Sequence, residues 1–83
     1  MFTVRWENNA LIAMAAIWTA APNPAVVSAA TDEIDRRFAL APLVHGIPIS
    51  EGLYAIEVTP LRALFEVDTI LRRVRIVSLN WLP

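Results

Sequence analysis

The chain has no cysteine and no lysine, and only one histidine, one tyrosine and two glycines among its 83 residues. Without cysteine there is neither a disulfide framework nor a thiolate zinc site, and a single histidine cannot form a histidine-cluster metal centre. The isolated glycines, Gly46 and Gly52, are followed by no Lys-Ser or Lys-Thr, so a phosphate-cradling loop is absent. The length excludes a dinucleotide-binding fold of two halves, a barrel enzyme and a long repeat array. It predicts one domain over residues 1–83, with a core that must hold by packing alone.

Charge is also scarce, at 18% of residues against roughly 25% in an average soluble domain. Seven arginines face eight acids for a net charge of −1, a poor balance for gripping nucleic acid through bulk electrostatics. Four of the arginines, Arg62, Arg72, Arg73 and Arg75, still crowd into the last quarter and leave room for a local basic strip. Arginine suits planar, bidentate contact with carboxylate or phosphate better than lysine does. What the chain has in plenty is apolar side chains, 57% of the total, more than a core this small needs. Part of that surface is expected to meet a partner, and the isolated chain to self-associate or dissolve poorly.

The apolar run Ala10–Ala21 ends in Thr19-Ala20-Ala21, which has the look of a signal-peptidase site. Three features oppose that reading. Phe2, Val4 and Trp6 alternate like a strand, Glu7 interrupts the entry, and Asn8 and Asn9 are helix-capping residues. The run is also well short of the roughly 20 residues that span a bilayer. A cytoplasmic protein with no membrane partner is the expectation.

A strand thus opens the chain. A helix capped by Asn8 or Asn9 follows, with Leu11, Met14, Ile17 and Trp18 at helical spacing, to near Ala21. Pro22-Asn23-Pro24 stops it and starts a second helix, on which Val27, Ala30, Ile34 and Phe38 mark the buried face to about Ala41. On the opposite face Asp32–Arg36 and Glu33–Arg37 have the four-residue step of ion pairs. A loop with Pro42, Gly46, Pro48 and Gly52 carries His45, a candidate general base that lacks a paired nucleophile. Leu53–Val58, Leu61–Asp68 and a segment from Ile70 or Leu71 to Leu79 read as strands of a meander. Alternation puts Leu61, Ala63, Phe65 and Val67 on one face and Arg62, Leu64 and Glu66 on the other, with Arg73 and Arg75 opposite Val74 and Ile76. The expected fold is a two-layer α+β domain of order β-α-α-β-β-β, its helical hairpin packed on one face of a mostly antiparallel four-stranded sheet.

These elements and their local words resemble the RelE/ParE superfamily of toxins, also called plasmid stabilisation proteins, over nearly the whole chain. The most specific stretch is Pro60-Leu61-Arg62-Ala63-Leu64-Phe65-Glu66-Val67-Asp68, similar to the family's aromatic-Arg-aliphatic-aliphatic-aromatic-x-Val-Asp strand. Ala29–Arg36, Ala41-Pro42-Leu43 with Gly46, and Glu51-Gly52-Leu53 add to it. The resemblance implies the toxin half of a type II toxin–antitoxin system, neutralised by a cognate antitoxin, with no cofactor. RelE-like members cleave mRNA on the ribosome, whereas ParE-like members inhibit DNA gyrase without cutting nucleic acid.

Ribonucleases of the family need preorganised cations at the scissile phosphate. Here Ala55 and Glu57 stand where basic residues are common, and a C-terminal His-Arg or Lys-Arg word followed by tyrosine is replaced by Asn80-Trp81-Leu82-Pro83. Arg62 alone keeps the family's arginine. A substitute catalytic set would comprise Arg62, Tyr54, Arg73 and Arg75. The plainer reading pairs Arg62 with Glu57 or Glu66, makes the later arginines edge guards and makes Trp81 a core or interface aromatic. The leading expectation is a non-enzymatic, ParE-like binder of a protein target. A ribosome-dependent, metal-independent endoribonuclease and a non-toxic binding or dimerisation module, including a homodimer, are the alternatives.

Overall fold

The computed structural model describes residues 1–44 and 46–82. The chain runs β1 (Thr3–Trp6), α1 (Asn8–Ala20), α2 (Pro24–Leu40), β2 (Ile47–Ser50), β3 (Leu53–Val58), β4 (Leu61–Asp68) and β5 (Arg73–Trp81). One five-stranded sheet has the order β1-β5-β4-β3-β2, antiparallel throughout except for the parallel β1–β5 pair. The two-layer α+β architecture matches the expectation, but the strand count does not. Ile47–Ser50, read as loop because of Pro48 and its short length, pairs with β3 as an edge strand, a place where proline's missing N–H is tolerated.

Asn23 caps α2 by accepting from the Ala25 N–H at 3.2 Å, and Pro24 occupies the first turn. Val27, Ala30, Ile34 and Phe38 are all buried. Helix α1 begins differently from its expected cap. Glu7 holds the capping position without a side-chain bond, and Asn8 and Asn9 are already helical. The buried stripe of α1 is Ala10 and Ile17, with Ala13 and Met14 packed beside them, while Leu11 and Trp18 turn outward. Small residues let this helix lie close on β5, so the bulkier pair is displaced to the rim. Trp18 keeps a polar anchor there, its indole N–H donating to Ser28 Oγ at 3.2 Å.

The β3–β4 hairpin turns through Thr59-Pro60, joined by a cis peptide bond. The β4–β5 turn takes in Thr69–Arg72, so β5 starts at Arg73 rather than at Ile70 or Leu71 and runs on to Trp81. Asp68 explains the difference: its Oδ1 accepts from the Ile70 and Leu71 N–H groups at 3.0 and 2.9 Å, which bends the chain before pairing resumes. Arg72 closes the turn in the left-handed region at φ 54°. A register shift opposite Leu64/Phe65 inserts an extra residue near Val77, which lets Val74, Ile76 and Leu79 all be buried although strict alternation would expose the last.

Candidate functional site

The helices cover the face of the sheet that carries Val4, Trp6, Ile56, Leu61, Ala63, Phe65, Val74 and Ile76. Period-2 alternation then puts Thr3, Arg5, Glu57, Arg62, Leu64, Glu66, Asp68, Arg73 and Arg75 on the open face. Register orders them into ranks. Arg5 lies beside Arg75, which faces Glu66; one rank along, Thr3 lies beside Arg73, which faces Asp68; at the far end Arg62 faces Glu57.

Like charges in adjacent register repel, so the Arg5–Arg75 neighbourhood needs compensation. It comes from two carboxylates: Arg75 donates to Glu66 Oε1 at 2.6 Å and stands 3.4 Å from Glu7 Oε1. The hydrogen bond to Glu66, then that carboxylate's charge and the weaker influence of Glu7, hold the Arg75 guanidinium even more firmly protonated than usual. Asp68, opposite Arg73 in register, turns its Oδ1 to the turn amides instead. No ion pair joins Arg5 or Arg73 to a carboxylate among the described residues. These ranks enclose a cleft of about 400 Å³ between β1 and the β4–β5 end of the sheet.

The proposed set of Arg62, Tyr54, Arg73 and Arg75 is not brought together. Arg73 and Arg75 share the cleft. Arg62 lies four residues from Glu66 along β4, about 13 Å away by strand rise, and its Nε is 3.8 Å from Glu57 Oε2. That Nε is covered by protein and has no hydrogen-bond partner among the described residues, as is Ser78 Oγ. Tyr54 is on the opposite side of the sheet, stacked on Phe65 at 5.7 Å between ring centroids. It shares no site with the three arginines. His45 lies outside the described residues. Trp81, at the end of β5, is 42% exposed and so not a core residue.

On α2 the expected Asp32–Arg36 pair is replaced. Glu33 accepts from Arg36 and is 3.6 Å from Arg37, and the hydrogen bond from Arg36 above all holds its carboxyl below the usual range. Asp35 instead accepts the Trp6 indole N–H at 2.8 Å, tying α2 to β1. Arg5 and Glu7 were missed as members of a site. The signal was present in the alternation of Thr3 and Arg5 against Phe2, Val4 and Trp6, but only the placement of the first strand beside the last gives it meaning.

No protein-family model matches the chain, and no curated protein does. Solved structures do. A chain of the RelBE2 toxin–antitoxin complex from Mycobacterium tuberculosis superposes with a TM-score of 0.74 at 19% identity, over 98% of each chain. The chromosomal ParDE toxin–antitoxin system of P. aeruginosa gives 0.70 at 18% identity, over 100% of this chain and 98% of that one. The isolated E. coli RelE toxin gives 0.69 at 12%, over 100% and 86%. The chain has the RelE/ParE fold.

Proposed function

We propose that this chain is the toxin of a type II toxin–antitoxin pair, held inactive by a cognate protein partner, and that it acts by occluding a protein target, DNA gyrase in the ParE manner. The full-length likeness to chains of RelBE2 and ParDE complexes supports the toxin reading. The choice of binding over cleavage rests on one observation, the dispersal of the candidate catalytic groups. Phosphodiester cleavage draws its rate from fixed positive charge and a proton donor aimed at one phosphate. Here Arg62 stands beside Glu57, Arg75 between Glu66 and Glu7, and the only tyrosine faces the helices. The carboxylates beside Arg62 and Arg75 compete with any phosphate that approaches them, and Arg73 alone of the set's arginines has no such partner among the described residues. Among the described residues, no helix is long and apolar enough to cross a membrane.

Induced expression with and without the purified chain's effect on gyrase supercoiling tests this. Arrested growth, inhibited supercoiling and intact transcripts are expected. Transcripts cut on the ribosome, with growth restored by Arg62→Ala, would establish the ribonuclease reading instead. Unimpaired growth would leave a non-toxic binding module.

A further inference from the structure

We propose that the cleft between β1 and the β4–β5 end of the sheet binds one carboxylate side chain of an extended acidic segment in a partner polypeptide, gripped between Arg5 and Arg73. Both guanidiniums are exposed and neither is ion-paired among the described residues. They occupy diagonal positions of the parallel β1–β5 pair, because Thr3 partners Arg73 and Arg5 partners Arg75. Diagonal neighbours in a sheet are about 7–8 Å apart at the backbone, close enough for two long side chains to converge on the two oxygens of one carboxylate. Arginine's planar fork suits that geometry.

The surroundings select the ligand. Arg75 is already committed to Glu66 and Glu7, so it forms a fixed wall rather than a third ligand group. Asp68 faces Arg73 in register but turns its Oδ1 to the Ile70 and Leu71 amides, and the two form no ion pair among the described residues. Three arginines and two carboxylates line the cleft, and Glu7 adds a third carboxylate beside Arg75. With Arg75 shared between Glu66 and Glu7, Arg5 and Arg73 are the cations of the cleft without an ion pair among the described residues, a pair that suits one carboxylate. A nucleic-acid strand would lay several phosphates across the same ranks, bringing some against Glu66 and Asp68, and is disfavoured. The volume, about 400 Å³, accommodates a few side chains rather than a duplex groove contact. The inference rests on the reading above only in supposing a protein partner.

Titration of the full chain, followed by NMR of the arginine Nε–H signals, provides the test. The probe is an acetylated, amidated Val-Glu-Val-Glu-Val peptide, with its glutamine counterpart and a short uridine oligonucleotide as comparisons. Saturable shifts at Arg5 and Arg73 with the glutamate peptide only are expected. Affinity should fall by about tenfold or more in Arg5→Gln and in Arg73→Gln, since each removes a charge-assisted hydrogen bond, while Arg36→Gln on α2 leaves it unchanged. Equal shifts with the glutamine peptide, none at millimolar concentration, or preferential binding of the oligonucleotide in the cleft would overturn the proposal. The peptide contrast needs no variant, so misfolding of a mutant cannot decide the result. Growth and supercoiling assays are independent of it: loss of the peptide site leaves the toxin reading standing, and a harmless chain that binds the peptide removes the toxin reading alone.

Discussion

Phe65 is the side chain whose removal should do most to separate the two layers. It is fully buried on β4, with the Phe38 ring of α2 at 4.3 Å and the Tyr54 ring of β3 at 5.7 Å. Gly46 is packed against it so closely that a methyl group there would sit 3.2 Å from Phe65 Cζ. Truncation to alanine in such a site costs about 3–5 kcal/mol. An 83-residue domain has a total stability of roughly 4–12 kcal/mol. Phe65→Ala should therefore consume a large part of it, lowering Tm by roughly 15–30 °C. Thermal unfolding followed by circular dichroism reads this directly. A double-mutant cycle with Phe38→Ala should give a coupling of about 0.5–1.5 kcal/mol. Tyr54→Phe is the control: the hydroxyl makes no hydrogen bond among the described residues, so its loss should change stability by no more than about 0.5 kcal/mol and leave any growth effect intact. If Phe65→Ala costs less than about 1 kcal/mol, or Tyr54→Phe abolishes activity in vivo, the assignment of these rings to packing is wrong.

The β4–β5 turn gives a pair of opposite effects: Asp68→Ala should destabilise by about 1–2 kcal/mol through loss of the two hydrogen bonds its Oδ1 accepts from backbone N–H groups, and Arg72→Gly should stabilise by about 0.5–1 kcal/mol because glycine carries no Cβ penalty in the left-handed region. Equilibrium denaturation by urea measures both, and equal signs would refute the turn geometry. Glu33 predicts an acid limb. Its carboxyl is held low in the folded chain by Arg36, so it binds a proton less readily folded than unfolded, and its contribution is present above the ordinary carboxylate range and lost as pH falls through the folded value. Comparison of the melting curves of the wild type and Glu33→Gln should show a gap at neutral pH that closes in acid and narrows with salt; a gap independent of pH would contradict the pairing.

What could be read from the sequence was what local physics fixes. Asn23-Pro24 and the Val27, Ala30, Ile34, Phe38 series specify α2 and its buried face without any neighbour, and the alternation in Leu61–Asp68 does the same for β4. Where pairing or packing made the choice, the reading failed. Ile47–Ser50 is a strand because β3 offers it hydrogen bonds, not because four residues with a proline prefer to extend. Helix α1 is apolar nearly all round, so periodicity could not say whether Ala10 or Leu11 would face the sheet; closeness of approach decided for alanine. The extra residue near Val77 has no local signature at all, since it is defined by the register against β4.

The same distinction governs the candidate site. Each arginine of the open face was visible in the sequence, and Arg62 with Glu57 could be paired from the β3–β4 hairpin alone, because a two-residue connection fixes that register. Arg75 could not be placed, for one of its two carboxylates comes from β4 and the other from the segment entering α1, at the far end of the sequence. Nor could Arg5 and Arg73 be seen as neighbours until the first strand was set parallel to the last. Counting arginines therefore overstated the basic character of the last quarter. Function on this face depends less on how many guanidiniums it carries than on which of them the fold leaves without a carboxylate.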